Sequence, residues 1–406
     1  MIAKLKRNKN IVYLWLGHFI SHSGDSIYML ALPWLILDIT GSKSETALVA
    51  TSVYLPTLLF GLLSGSLVDF MSRRKLMIIS DLLRAVTVLI IPLMLLNDIR
   101  STLAIGTVAF IMSSFGTPFY PARDALIPHL VSKDKLPTIN SLISTSGQMS
   151  HLMGPVIAGA LVGVVGLTHL FTIDAITFLV SLGFIWLVRI KENIDENQSD
   201  SYMQKIKGGF QYLRENQGVK ILIIMTTVNN LFIMGPAIIG TPVFVRDVLK
   251  MDFAALAQLE SAMAAGMLTG SLIIIRFLKN ISPVKVLFFG ILFDGITYSL
   301  LYGVDTRLFA MLVLFIHGIG IPLIIVSRTN LIQTIVPNDL RGRLFAMTNM
   351  AVLGTTAIST SLTGFVLEFV DVQRLFLFIG ILAMCTVLIG MFSKPFLSLN
   401  QINEQF

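Results

Sequence analysis

Hydrophobic residues in this chain fall into long runs of roughly 20 to 27 positions, separated by short polar stretches rich in Lys and Arg. A helix of that length crosses a hydrocarbon core of about 30 Å. The pattern predicts twelve spans, over residues 11–37, 45–70, 75–96, 101–121, 138–164, 168–189, 219–245, 252–278, 284–303, 307–327, 343–368 and 371–393. The longest polar segment, Lys191 to Gln217, falls midway and contains an amphipathic piece, Tyr202 to Arg214. The expected organisation is therefore an N-terminal six-helix bundle (1–190), a cytoplasmic linker (191–218) with a surface-lying helix, and a C-terminal six-helix bundle (219–406).

An even number of spans puts both termini on one side, and the basic residues say which side. Of the 30 Lys and Arg, 23 lie in the loops and tails on the side of the termini and 6 in the opposite loops, while Arg84 lies within a span. Positive charge is retained in the cytoplasm, so both termini are expected there, in a plasma membrane. The formal charge of +7 is thereby explained by loops, and no nucleic-acid partner is expected. With 54% hydrophobic and 13% charged residues, a soluble protein is excluded. The single cysteine, Cys385, rules out an intramolecular disulfide and a Cys-based metal site. Met1 to Lys9 is basic and leads into a long span without a small-residue cleavage site, so no cleaved leader is expected. No G-x-x-x-x-G-K-S/T loop occurs, which argues against ATP as the energy source.

The two halves resemble each other at a constant offset of 205 positions. That shift lays Gly61 and Gly65-Ser66-Leu67 on Gly266 and Gly270-Ser271-Leu272, Arg123 on Arg328, and Leu126-Ile127 on Leu331-Ile332. It also lays Val131 on Val336, Asp134 on Asp339, Gly159 on Gly364 and Leu170-Phe171 on Leu375-Phe376. One offset holding over more than a hundred residues argues for two parallel six-helix repeats about an axis along the membrane normal.

The turn after the second span reads Gly65-Ser66-Leu67-Val68-Asp69-Phe70-Met71-Ser72-Arg73-Arg74-Lys75. It resembles the loop between helices 2 and 3 of the major facilitator superfamily, with Phe70 where a basic residue is usual and Ser72 in place of the second glycine. The resemblance implies an all-α membrane protein of 12 transmembrane helices in two pseudo-symmetric bundles. The substrate path is then expected between the halves, near the bilayer midplane. It also implies a cytoplasmic gating network of Asp69, Arg73, Arg74, Asp124, Asp134 and Arg343, with Asp69 at the positive N-terminus of the eleventh helix. The alternative for these charges is a solvated set that only fixes topology.

Ser144 to Gly159 contains Gly154-Pro155-Val156-Ile157-Ala158-Gly159, similar to the fifth-helix motif of proton-driven exporters, with Ala158 in place of one glycine. Small residues allow close helix approach and Pro155 bends the helix, which plain packing would also use. Phe119 to Val131, Asn140-Ser141-Leu142, Gly24-Asp25 and Ile39-Thr40-Gly41-Ser42 resemble the macrolide-exporter and siderophore-exporter branch. The mid-helix arginine of the fourth span found in many drug exporters is absent, because Arg123 lies at the cytoplasmic end.

Asp25 is the sharpest candidate for chemistry, since a charge near the middle of a span is costly unless a partner or cavity receives it. The 205 shift places it opposite Asn230. His18, His22 and Asp25 recur at i, i+4 and i+7 on one helical face, and His151 and His317 are also intramembrane. These six residues are the expected proton- and substrate-coupling set. Structural hydrogen bonding is the alternative for each. Asp294, Asp174 and Glu260 are further intramembrane acids. The expected activity is proton-coupled export of a small amphipathic molecule by a monomer in contact with membrane lipid, needing no cofactor beyond the proton gradient. No resident metal is expected. The alternatives are a divalent-metal exporter resembling ferroportin, using Asp25 and His22, and a lipid or lysolipid flippase.

Overall fold

In a computed structural model the described residues are 8–132, 135–190, 202–278 and 281–399, apart from the side chains at 62, 65, 66, 69, 137, 202–207, 338 and 339. Helices α1 (Lys9–Thr40), α2 (Lys43–Phe70), α3 (Arg73–Leu96) and α4 (Thr102–Leu130) follow one another through short turns. The long helical stretch Leu136–Leu187 is broken at Gly166, whose φ of 77° and ψ of 164° lie outside the helical region, into α5 (136–165) and α6 (167–187). A left-handed φ costs glycine little, so the chain reverses there between the fifth and sixth predicted spans. After the linker helix Tyr202–Glu215 come α7 (Gln217–Val248), α8 (Phe253–Leu278), α9 (Pro283–Gly303), α10 (Arg307–Ile335), α11 (Asn338–Val366) and α12 (Val372–Met391). A helix covers each of the twelve predicted spans, and among the described residues eight helical stretches, one of them running across the Gly166 break, are long and apolar enough to cross a membrane. No strand occurs among the described residues.

The helix ends are set by capping. Gly41 (φ 69°) closes α1 with its N–H on Leu37 O, and Ser42 opens α2 by accepting from the N–H of Glu45. Ser72, which stands where a glycine is usual, serves as the N-cap of α3 and accepts from Lys75 N–H at 3.3 Å. Asp252 and Asp371 start α8 and α12 in the same way.

Two helices outrun their predicted spans. The fourth was expected to end at 121 and the tenth at 327, yet they reach Leu130 and Ile335. The reason is amphipathic burial: Leu126 and Ile127 in α4, and Leu331 and Ile332 in α10, are each fully buried in the core of their own unit. Charged neighbours on the opposite face hide this pattern from a hydropathy reading.

The chain forms two compact units, one of residues 1–45 and 52–199, the other of 46–51 and 200–406. Each has its own apolar core, and the cores repeat the sequence offset. Leu14, Phe119, Leu126, Ile127 and Ile139 of the first core lie 205 positions before Val219, Ile324, Leu331, Ile332 and Leu344 of the second. In the second unit the linker helix lies against α11, where a Cβ on Gly208 would come 2.7 Å from Arg343 Nη1 and one on Gly209 2.6 Å from Met347 Sδ. The first stretch of the linker, 191–201, lies outside the described residues.

Glycines bring α8 and α10 into backbone contact. A Cβ on Gly266 would collide with Phe315 O, one on Gly270 with Ile319 O, and one on Gly318 with Met263 O. Small residues at such crossings replace the hydrophobic driving force that lipid removes. The substitution Gly266→Leu should therefore force these helices apart, at a cost of about 3 kcal/mol or more. Thermal unfolding followed by size-exclusion chromatography checks this, with Leu272→Ala on the exposed face of α8 as a neutral control.

Candidate proton-coupling site

The first unit buries a cluster of charge where its third helix passes the first and sixth. Arg84 of α3 donates from Nη2 to Asp25 Oδ1 of α1, and its Nη1 lies 3.8 Å from Asp81 Oδ1 one turn earlier. The guanidinium carbon sits 3.9 Å from the centroid of the Phe178 ring of α6. That cation–π contact gives Arg84 a partner on its flat face.

Glycines make room for the cluster. A Cβ on Gly24 would collide with Thr177 Oγ1 and come within 3.0 Å of Thr177 Cβ, so α6 approaches α1 only where α1 lacks a side chain. A Cβ on Gly116 of α4 would lie 3.2 Å from Arg84 Nε. The Gly24-Asp25 pair thus has two separate duties: the glycine admits α6 and the aspartate receives Arg84.

Asp174 of α6 completes the group. Thr177 Oγ1 donates to the Asp174 backbone carbonyl at 2.7 Å and lies 3.5 Å from Asp174 Oδ1. Among the described residues, both oxygens of Asp81, Asp174 Oδ2, Tyr28 Oη and Arg84 Nε are buried without a hydrogen-bond partner, although the hydroxyl of Ser181 stands close enough to act on Asp81. Asp81 and Asp174 are 0% exposed, whereas the Asp25 side chain is 17% exposed, so Asp25 is the open edge of the cluster. Three carboxyl groups surround one guanidinium. With all three ionised the site would hold two uncompensated negative charges in an apolar interior, which is costly.

Of the six residues expected to couple proton and substrate, the structure brings His18, His22 and His151 near one another, and Asn230 and His317 lie in the second unit. His18 and His22 form a second group in the first unit, with ring centroids 5.4 Å apart and Tyr120 6.2 Å from each. Arg123 Nη1 donates to His18 Nε2 at 3.0 Å and lies 5.1 Å from the Tyr120 centroid by its guanidinium carbon. A guanidinium has donors only, so His18 accepts at that nitrogen and is not the proton carrier in this arrangement. His151 of α5 has an exposed side and stands close enough to His22 to act on it. Asn230 donates to Val352 O, Thr355 Oγ1 and Thr356 Oγ1 of α11, each at 3.0 Å. His317 lies in the second unit beside Asp294. Asp25 faces Arg84 while His22 faces His18 and Tyr120, and no three His, Cys, Asp or Glu converge for a metal ion among the described residues.

The fifth-helix glycines have packing roles. A Cβ on Gly154 would collide with Ser26 Cβ of α1, Pro155 lies inside the helix, and Gly159 is half-buried. Of the expected gating charges, Arg74 donates from Nε to Ile185 O at 3.2 Å and from Nη2 to Trp186 O, holding the C-terminal end of α6. Arg73 opens α3, Asp124 pairs with Arg123 at 2.7 Å, and Arg343 lies against Gly208 of the linker helix. The side chain of Asp69 and all of Asp134 lie outside the described residues.

Asp81 and Arg84 are the functional candidates that a search for isolated acids overlooks. Their signal is legible: two charges at i and i+3 on one face of an apolar span, where each alone would be expensive.

The sequence matches the profile of the Major Facilitator Superfamily over residues 14–352. Macrolide efflux protein A of Streptococcus pyogenes is 24% identical over 381 residues, covering 93% of this chain and 94% of that protein. Multidrug efflux pump Tap of Mycolicibacterium fortuitum is 23% identical over 354 residues, covering 85% of each. Among solved structures, the nucleoside transporter NupG matches with a TM-score of 0.76 at 15% identity, over 96% of this chain and 98% of that one. A bacterial homologue of the iron transporter ferroportin in its inward-facing state matches at 0.74 and 16%, over 98% of each. At such identities these two likenesses concern the fold. The length of the profile match, the twelve helices and the duplicated core agree: this chain belongs to the Major Facilitator Superfamily, and is a multi-pass membrane transporter rather than an enzyme.

Proposed function

We propose that this transporter is a proton-driven exporter of small amphipathic molecules of the drug or metallophore-like kind, working by alternating access in a bacterial plasma membrane. The observation that carries the reading is the excess of carboxyl groups around Arg84. One guanidinium balances one carboxylate, a proton on the sealed Asp174 removes a second charge, and the proton that Asp25 takes up removes the third. Asp25, at the open edge, exchanges its proton with the aqueous path, while Asp81 and Asp174 hold Arg84 in place when Asp25 releases it. The whole-length likeness to a macrolide efflux protein and a multidrug efflux pump supports the direction and the substrate class. The cytoplasmic placement of both termini rests on the 23 basic residues on their side of the membrane. The metal-export alternative would need a cation to displace Arg84 from Asp25.

Transport into proteoliposomes under an imposed proton gradient tests the reading. Asp25→Asn should lower gradient-driven flux of a cationic dye or a macrolide by about tenfold or more. Substrate binding without a gradient should persist, because the substitution removes a proton-carrying group and keeps the size and shape of the side chain. Metal flux with no dye flux, or a fully active Asp25→Asn protein, would overturn the proposal.

A second prediction separates charge balance from transport. Arg84→Ala leaves Asp25 and Asp81 without a counter-charge and should destabilise the protein by about 3–5 kcal/mol. Adding Asp25→Asn to Arg84→Gln removes both charges and should restore much of the melting temperature without restoring gradient-driven flux. Thermal unfolding of the single and double variants, measured beside flux, checks both halves of the statement.

A further inference from the structure

The second unit contains a buried acid–imidazole pair that the proposed export mechanism does not use. Asp294 of α9 and His317 of α10 are each 2% exposed, with His317 Nδ1 3.5 Å from Asp294 Oδ1. The neighbours fix the protons on this pair. Thr297 spends its hydroxyl hydrogen on the helix backbone, donating to Phe293 O at 2.8 Å or Asp294 O at 2.9 Å. Its Oγ1 lies 2.9 Å from His317 Nδ1 and can therefore only accept there. With the threonine hydrogen on the backbone, Nδ1 carries the hydrogen of the neutral ring and Nε2 is left as the acceptor. On the other side, Asn229 of α7 donates from Nδ2 to Asp294 Oδ2 at 3.3 Å. Asp294 Oδ2 thus accepts from Asn229, and Oδ1 faces Nδ1 of the His317 ring at 3.5 Å.

The surroundings bring no cation to balance that carboxylate. Tyr298, on the same helix as Asp294, presents its ring edge-on to His317 at 4.6 Å between centroids. Helix α8 contributes Glu260, a further acid close enough to act on Tyr298. Helix α7 has Lys220 near its start and Arg246 near its end, α8 has Arg276 in its last turn, α9 has Lys285 in its first turn, α10 has Arg307 and Arg328 towards its two ends, and α12 has Arg374 in its exposed first turn, whereas the ion-pair contact of Asp294 is with His317. With His317 neutral, the pair holds one uncompensated negative charge in an apolar interior. One proton removes it.

We propose that Asp294 and His317 form a second proton-binding site, in the unit that lacks the Arg84 cluster, with the proton taken at His317 Nε2 and Asp294 as its counter-charge. The step is a simple protonation: the Nε2 lone pair forms an N–H bond with a proton released by water, and no other bond changes. Asn229 and Thr297 are positioning residues, the first holding the carboxylate ionised and the second fixing the tautomer. Use of this proton in transport rests on the export reading, whereas its binding does not.

The test is a pH titration of the purified full chain in detergent, following the side-chain nitrogens of ¹⁵N-labelled histidine, with His317 identified by its loss in His317→Gln. The expected result is that Nδ1 keeps its hydrogen throughout while Nε2 gains one as pH falls. In Asp294→Asn that titration should disappear or shift by at least about one pH unit. A neutral ring with its hydrogen on Nε2, or a titration unaltered by Asp294→Asn, would overturn the proposal. Should Asp294→Asn not fold, Asn229→Ala decides: loss of the donor to Asp294 Oδ2 should shift the His317 titration, and an unshifted titration counts against the site. Asp25→Asn serves as the distinguishing arm. It should abolish gradient-driven export and leave the His317 titration unchanged, so the export reading and the second proton site fail separately.

Discussion

A guanidinium held inside a bundle that faces lipid dictates what surrounds it. Arg84 is buried, so its charge and its flat face are met by protein, while its Nε is left without a hydrogen-bond partner. Asp25 meets the charge, the ring of Phe178 meets one face, and Gly116 leaves the space through which the guanidinium passes α4. Gly24 lets α6 close over the group with Asp174. Four helices of the first unit are thereby committed to one position of one side chain. The residues flanking Asp25 follow from that commitment as much as Asp25 does.

The two units share a scaffold and differ in polar content. Positions 205 apart supply matching core residues, such as Leu126 with Leu331 and Ile139 with Leu344. The same shift carries Gly24-Asp25 onto Asn229-Asn230 and Arg84 onto Phe289. Where the first unit has an ion pair, the second has amides: Asn230 ties α7 to α11, and Asn229 reaches Asp294. Apolar positions are retained because the helices must still pack, while polar positions are free to take different work.

The spans were legible because hydrocarbon thickness imposes a length, and the repeat because packing preserves its period. What hydropathy could not show was the outer part of α4 and α10, where a buried apolar face alternates with charge. The candidate site was half legible. Asp25 stands out as an acid in a span, but its partner depends on which faces of α1, α3 and α6 meet, and no linear pattern encodes that. The histidine face of α1 was real as a face: His18 and His22 do neighbour each other. Its partner is Arg123, however, brought close by the same unforeseen extension of α4. Asn230 was correctly singled out as polar in a span, yet its amide is spent on α11.

Exposure within the Arg84 cluster gives the proposed cycle an order. Asp81 and Asp174 are sealed, so a proton on either is exchanged only when helices separate, whereas the Asp25 side chain keeps 17% exposure. Protonating Asp25 cancels the charge that binds Arg84, and the guanidinium then has Asp81, one turn away on its own helix, as its nearest carboxylate. A swing between those two acids keeps Arg84 paired in both states, which a single buried acid would not allow. It also alters the contact of α3 with α1, because the bond that is exchanged is the one joining those helices. In the proposed cycle, proton uptake would be linked to helix position through a single side chain, with the second carboxylate, on α3, receiving Arg84 as the first releases it.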